Sequence, residues 1–126
     1  MENSLELSNC SQLSKLHILL KSIDEFFQNP EHLKQLECIL KEQKISMRKL
    51  ESFVTKNKHM ELQTPAGSTL NVHIAYKSCL NGYSKKLFDP FCRTERIEYK
   101  GMKTTVAQLN FMRWCIKNGI ITAMSE

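Results

Sequence analysis

No apolar run in this 126-residue chain approaches the roughly 18 residues that cross a bilayer, and the opening MENSLELSNC lacks the basic and apolar regions of a signal peptide. An intracellular protein that does not enter the membrane is therefore expected. Only four glycines occur and they form no phosphate-cradling loop, and no serine or cysteine sits in a recognisable nucleophile elbow. The five cysteines (Cys10, Cys38, Cys79, Cys92, Cys115) are odd in number, scattered and without a C-x-x-C pair. That pattern suits free thiols in a reducing compartment rather than a disulfide framework. The four histidines (His17, His32, His59, His73) are far apart, so zinc-ligand spacing is missing and neither metal nor cofactor is expected. The acid pair Glu95 and Glu98 falls on an expected hairpin rather than on one helix face, and the chain is read as no enzyme.

Acid is what the second half has least of. Met1–Gln63 holds nine Lys/Arg and nine Asp/Glu, whereas Thr64–Glu126 holds nine Lys/Arg and four acids, so the whole net charge of +5 sits in one half. A basic surface concentrates and steers polyanions, which makes nucleic acid and anionic membrane the partners to weigh first. With 25% charged and 41% hydrophobic residues the composition is that of a globular protein. The length suits one domain spanning residues 1–126.

Periodicity divides the chain. Leu13, Leu16, Leu20, Ile23 and Phe27 recur at steps of three and four, predicting a helix from about Ser11. Asn29-Pro30-Glu31 supplies a cap, a first-turn proline and an acid at the positive helix end, so a second helix starts there and runs to about Gln43. Ser46 caps a third, with Met47, Leu50, Phe53 and Val54 on its apolar side, ended by Lys56-Asn57-Lys58. After the turn-rich Thr64–Ser68, the alternation of Leu70, Val72, Ile74 and Tyr76 predicts a half-buried strand pairing with Met60 and Leu62, with His73 on the wetter face. A short helix over Lys77–Lys86, broken at Phe88-Asp89-Pro90-Phe91, precedes a tight hairpin over Arg96–Lys103 centred on Lys100-Gly101. The last helix is expected over Val106–Asn118, opened by a Thr105/Gln108 capping box and stopped at Gly119. The architecture that follows is α+β: a helical N-terminal half packed on a small antiparallel sheet and closed by a C-terminal helix.

Two stretches carry binding chemistry. Tyr76–Ile97 interleaves aromatics with cations, the combination that stacks bases and neutralises phosphates. The plainer alternative is that Tyr83, Phe88 and Phe91 anchor a core while the cations keep its rim soluble. In the last helix Asn110, Arg113 and Lys117 share one face while Leu109, Met112 and Ile116 lie on another, and an exposed amide with two cations can enter a major groove. Lys117 equally complements the helix dipole without any ligand. Phe111 and Trp114 are expected to pack inward. The candidate nucleic-acid-binding residues are thus Lys77, Lys85, Lys86, Arg93, Arg96, Lys100, Lys103, Asn110, Arg113 and Lys117.

The segment YKSCLNGYSKKLFDPFCRTERI followed by TTVAQLNFMRWCIKNGII, about Tyr76 to Ile121, resembles small uncharacterised proteins of large double-stranded DNA viruses. The words from Phe88 to Arg93 and from Gln108 to Phe111 carry most of that likeness. It implies a viral setting in host cytoplasm or nucleus, or in the virion, and supplies no catalytic residue. The reading is a basic, non-enzymatic protein that binds DNA or RNA mainly through phosphate contacts. The alternative is a protein-interaction or virion-assembly protein using its helical half, with a viral protein or a second copy as partner. The stripe from Leu13 to Phe27 is expected to be core in the first case and a dimer interface in the second.

Overall fold

The computed structural model describes the backbone of residues 4–125 and the side chains of residues 15–124, so Cys10 and Leu13 lie outside the described side chains. Three helices come first: α1 (Ser4–Phe26), α2 (Pro30–Leu40) and α3 (Met47–Lys56). The Asn29 side chain accepts from the Glu31 amide at 2.9 Å and the Ser46 hydroxyl from the Lys49 amide at 3.3 Å, so the caps of α2 and α3 are those the sequence predicts. Helix α2 stops at Leu40, three residues before the expected end, and Gln43 turns the chain with a φ of 54°.

Strands β1 (Glu61–Gln63) and β2 (Thr69–Asn71) pair antiparallel with Leu62 opposite Leu70, closed by a turn in which the Gly67 amide donates to the Thr64 carbonyl at 2.8 Å. The hairpin is the expected one, but the strand is not seven residues long. From Val72 the chain is helical, as α4 (Val72–Tyr83), and the expected strand Leu70–Tyr76 survives only in its first two residues. The Asn71 side chain accepts from the Ile74 amide at 3.0 Å and so opens a helix where alternation predicted pairing to continue. Val72 and Tyr76, four apart, are buried, while Ile74 is 61% exposed, which is a helical division of faces. His73 accordingly lies on α4, half-buried, and its Nδ1 is enclosed without a hydrogen-bond partner.

The expected helix Lys77–Lys86 is replaced by the end of α4 and a one-turn α5 (Lys85–Phe88), joined at Ser84, whose φ of 75° breaks the axis. Strands β3 (Ile97–Tyr99) and β4 (Met102–Thr104) pair through a two-residue turn. Lys100 and Gly101 there have φ of 49° and 81°, the doubly positive conformation that matches the twist of a hairpin. The strand content is therefore two separate two-stranded hairpins within an α+β arrangement.

Helix α6 (Val106–Lys117) is capped by the Thr105 hydroxyl, which accepts from the Gln108 amide at 3.1 Å. The Gln108 side chain does not close the expected box. Its amide nitrogen donates to the Pro90 carbonyl at 3.1 Å and its oxygen accepts from the Thr104 hydroxyl at 2.8 Å, tying the proline loop to β4. Gly119, with a φ of 72°, stops α6 as predicted, but α7 (Ile120–Ser125) follows and buries Ile120 and Ile121. The core gathers on α6: Ala107, Leu109, Phe111, Met112, Cys115 and Ile116 are buried, against Ile23 and Phe27 of the α1 end, Leu36 and Ile39 of α2, and Val72 and Tyr76 of α4. A helix buried on several sides is the centre of its domain rather than a lid.

Candidate nucleic-acid interface

Eight of the ten candidate residues, Lys77, Lys85, Lys86, Arg93, Arg96, Lys100, Lys103 and Lys117, are exposed, Arg113 is half-buried and Asn110 is buried. Among the described residues the ion pair is Lys44–Glu42, on the N-terminal half, so none of these nine cations has an acid within ion-pair distance. Acid is nevertheless near Lys103, because β3–β4 pairing sets it opposite Glu98. Lys100 lies over the Tyr99 ring at 5.6 Å, a contact that leaves its ammonium at the surface.

The structure brings the candidates together in two places. The first is a cleft of about 560 Å³ between the C-terminal part of α1, the end of α4 with α5, and α6. Ser22, Glu25 and Phe26 form one wall, Cys79, Tyr83 and Phe88 another, and Asn110, Arg113, Trp114 and Lys117 the third. Phe88 and Trp114, which line it, continue into the core through Tyr76 and Phe111: the four rings stand with centroids 5.7–6.2 Å apart, tilted or edge-on, the arrangement ring quadrupoles prefer. Burial pushes the Tyr76 hydroxyl and the Cys115 thiol up, the latter well above the thiol range, and pushes the Cys79 thiol up as well. Burial thus leaves Cys79 a less acidic thiol on the cleft wall.

Asn110 is the residue whose role the sequence misplaces. An exposed, base-reading amide is expected, but the side chain is 1% exposed and fully engaged. Its Nδ2 donates to the Leu87 carbonyl at 2.9 Å and its Oδ1 accepts from Arg113 Nη2 at 2.8 Å. Arg113 Nη1 also donates to the Ser22 hydroxyl at 2.6 Å. The guanidinium is thus held between α1 and α6 by two neutral oxygens, which fix its place without cancelling its charge. Leu109, Met112 and Ile116 are buried as predicted and Phe111 is fully so, while Trp114 is half-buried at the cleft.

The second place is a pair of adjoining grooves that share Arg96 and Gln108, of about 390 and 520 Å³. Arg93 and Thr94 line one, Lys103 and the α2–α3 connection the other. Phe91, 42% exposed, lines the first, and Arg48 of α3 lies 5.2 Å from its ring centroid. Arg48 is the contributor that the sequence reading missed, because it belongs to the charge-balanced half. Lys77, Lys85, Lys86 and Lys100 line neither place. The aromatics of Tyr76–Ile97 divide: of the three that the plainer alternative makes core anchors only Phe88 is buried, while Tyr83 and Phe91 are exposed, and Tyr76 joins Phe88 in the core.

Among the described residues no group of three or more His, Cys, Asp or Glu is gathered as a metal site needs, and no helix is long and apolar enough to cross a membrane. The chain belongs to a family of unknown function, DUF7197, whose model matches residues 7–126. It is similar to the uncharacterized protein L507 of Acanthamoeba polyphaga mimivirus, 36% identical in an alignment 105 positions long that covers 71% of this chain and 40% of that protein. The chain therefore spans less than half the length of this relative. No solved structure matches it. The resemblance expected from Tyr76–Ile121 is thus met by a giant-virus protein, and the family match extends it into the helical first half.

Proposed function

We propose that the protein is a non-enzymatic nucleic-acid-binding protein of a viral, intracellular setting, holding DNA or RNA mainly through phosphate contacts. The observation that carries this reading is the set of nine C-terminal-half cations with no acid at ion-pair distance among the described residues, five of them gathered at two concave, aromatic-edged places. Cations of a merely soluble rim are free to pair with acids, whereas a phosphate-binding surface keeps its cations unpaired and near rings. Each neutralised phosphate releases condensed counterions, so affinity must fall with salt. Four contacts would lower it roughly 100-fold between about 50 and 200 mM salt. Anisotropy titration into labelled DNA and RNA at those two concentrations tests the reading, and absence of binding at the lower one refutes it.

A second reading has its own support. Ile18 on α1 is 65% exposed, and Leu16 and Leu20 are half-buried outside the core cluster, so among its described side chains the predicted stripe is core at Ile23 and Phe27 alone. Apolar side chains in that position suit a protein-interaction or assembly role for α1, with a second copy or a viral protein as partner.

A further inference from the structure

The cleft between α1, α4–α5 and α6 differs from an ordinary basic groove in what it offers besides charge. Tyr83 and Phe88 form a parallel two-ring stack, centroids 5.8 Å apart and planes 10° apart. The inner ring is buried, and the outer ring, Tyr83, is 38% exposed. Trp114 stands at 76° to Phe88 and closes the side of the same cleft. A stack ending in an exposed ring can be lengthened by one more flat ring, and every nucleobase has such a face. Duplex DNA keeps its base faces covered by neighbours and presents only edges, so the rings of this cleft have nothing to take from it. The charge is suitably placed: Arg113 is pinned within the cleft by Ser22 and Asn110, and Lys117, one turn further along α6, is exposed at its margin. Glu25 on the α1 wall disfavours a phosphate on that side and can accept from an exocyclic amino group, which leaves the phosphate to the α6 side.

We propose that this cleft takes one unpaired nucleobase, stacked on Tyr83, with the adjoining phosphate on Arg113 and Lys117, so that the protein selects single-stranded over duplex nucleic acid. The inference rests on the nucleic-acid reading and adds to it the form of the ligand. Asn110, buried and engaged on both sides of its amide, is a positioning residue here: its polar atoms hold Arg113 and the Leu87 carbonyl.

Trp114 is the chain's one tryptophan, so its fluorescence reports the cleft alone. The full chain is titrated at low salt with a single-stranded DNA oligonucleotide of mixed sequence and with the duplex of the same length, following both Trp114 emission and the anisotropy of an end label. The single strand should quench Trp114 and bind at least tenfold more tightly than the duplex. Tyr83→Ala should weaken single-strand binding roughly tenfold or more while leaving the duplex within about twofold, and Tyr83→Phe should keep the wild-type behaviour. Equal affinity for the two forms with unquenched Trp114, a wild-type reading that depends on no variant folding, overturns the base pocket while leaving phosphate binding standing. Equal weakening of both forms by Tyr83→Ala does the same. Absence of binding by either form overturns both readings at once.

Discussion

Replacing Asn110 by alanine tests whether α6 is the centre of the domain or an exposed reading face. On an exposed face the change would cost no more than about 0.5 kcal/mol, as surface substitutions do. The structure demands more. The Leu87 carbonyl loses the donor that reaches it at 2.9 Å from a fully enclosed amide, and a buried acceptor stripped of its partner costs about 1–3 kcal/mol. Arg113 loses a 2.8 Å bond to Oδ1 but keeps Ser22 and borders an open cleft, so solvent screening limits that share to about 1 kcal/mol. The sum is about 2–4 kcal/mol, enough to lower a urea midpoint by roughly 1–2 M at unchanged slope. Arg113→Ala, which keeps the Leu87 bond but takes the donor from Asn110 Oδ1, should cost about 1–2 kcal/mol, less than Asn110→Ala. Urea unfolding followed by circular dichroism distinguishes the cases. If Asn110→Ala falls within about 0.5 kcal/mol of wild type, or if Arg113→Ala costs as much as Asn110→Ala, the buried amide is not what joins α5 to α6.

Alkaline stability follows from the enclosed thiols and phenols. The Tyr99 hydroxyl donates to Asp24 Oδ1 at 2.8 Å, and burial together with that carboxylate pushes its pKa up, as burial does for Tyr76, Cys79 and Cys115. In the unfolded chain thiols ionise near 9.0 and phenols near 10.0 while the folded state keeps these protons, so stability is complete below about pH 9 and declines as pH rises beyond it. Thermal melts from pH 7 upward should show a falling midpoint above pH 9, and a flat profile to pH 11 would contradict the burial. For the α1 stripe, the double variant Leu16→Glu/Leu20→Glu should stay folded within about 1 kcal/mol of wild type, since neither side chain belongs to the core cluster. Sedimentation should then show whether it removes self-association. Loss of the fold would place both residues in the core after all.

Among the described residues, three of the four side-chain helix caps were legible because a cap is a local signal: a short polar residue, a donor two or three residues on, and an apolar period beginning at once. Asn29, Ser46 and Thr105 each stand at such a boundary. Asn71 does the same chemistry, but it sits inside an alternating run, and over Leu70–Tyr76 the two periods coincide at Val72 and Tyr76. Alternation of four apolar residues could not show that Ile74 faces outward; only the cap could have, and it was read as a polar strand position. The Lys100-Gly101 hairpin was legible for the opposite reason, since a doubly positive turn admits few residue pairs. What no local pattern contains is the number of elements that pack on a given helix, and that number decides the candidate site.

Asn110, Arg113 and Lys117 do share a face at helical spacing, and the inference that such a face is exposed assumed that α6 buries one stripe. A signal against that assumption was present: Ala107, Leu109, Phe111, Met112, Cys115 and Ile116 cover more than half of the helix circumference, as on a helix surrounded by others. On such a helix an amide must be paired inside. The partner that Asn110 finds, the Leu87 carbonyl, fixes α5 against α6, and α5 carries Phe88, the buried ring on which Tyr83 stacks. The same side chain holds the guanidinium of Arg113 through its other atom. One buried amide thereby sets the distance between the ring stack and the cation, so a residue that is 1% exposed governs whether the cleft presents a stacking face and a charge together.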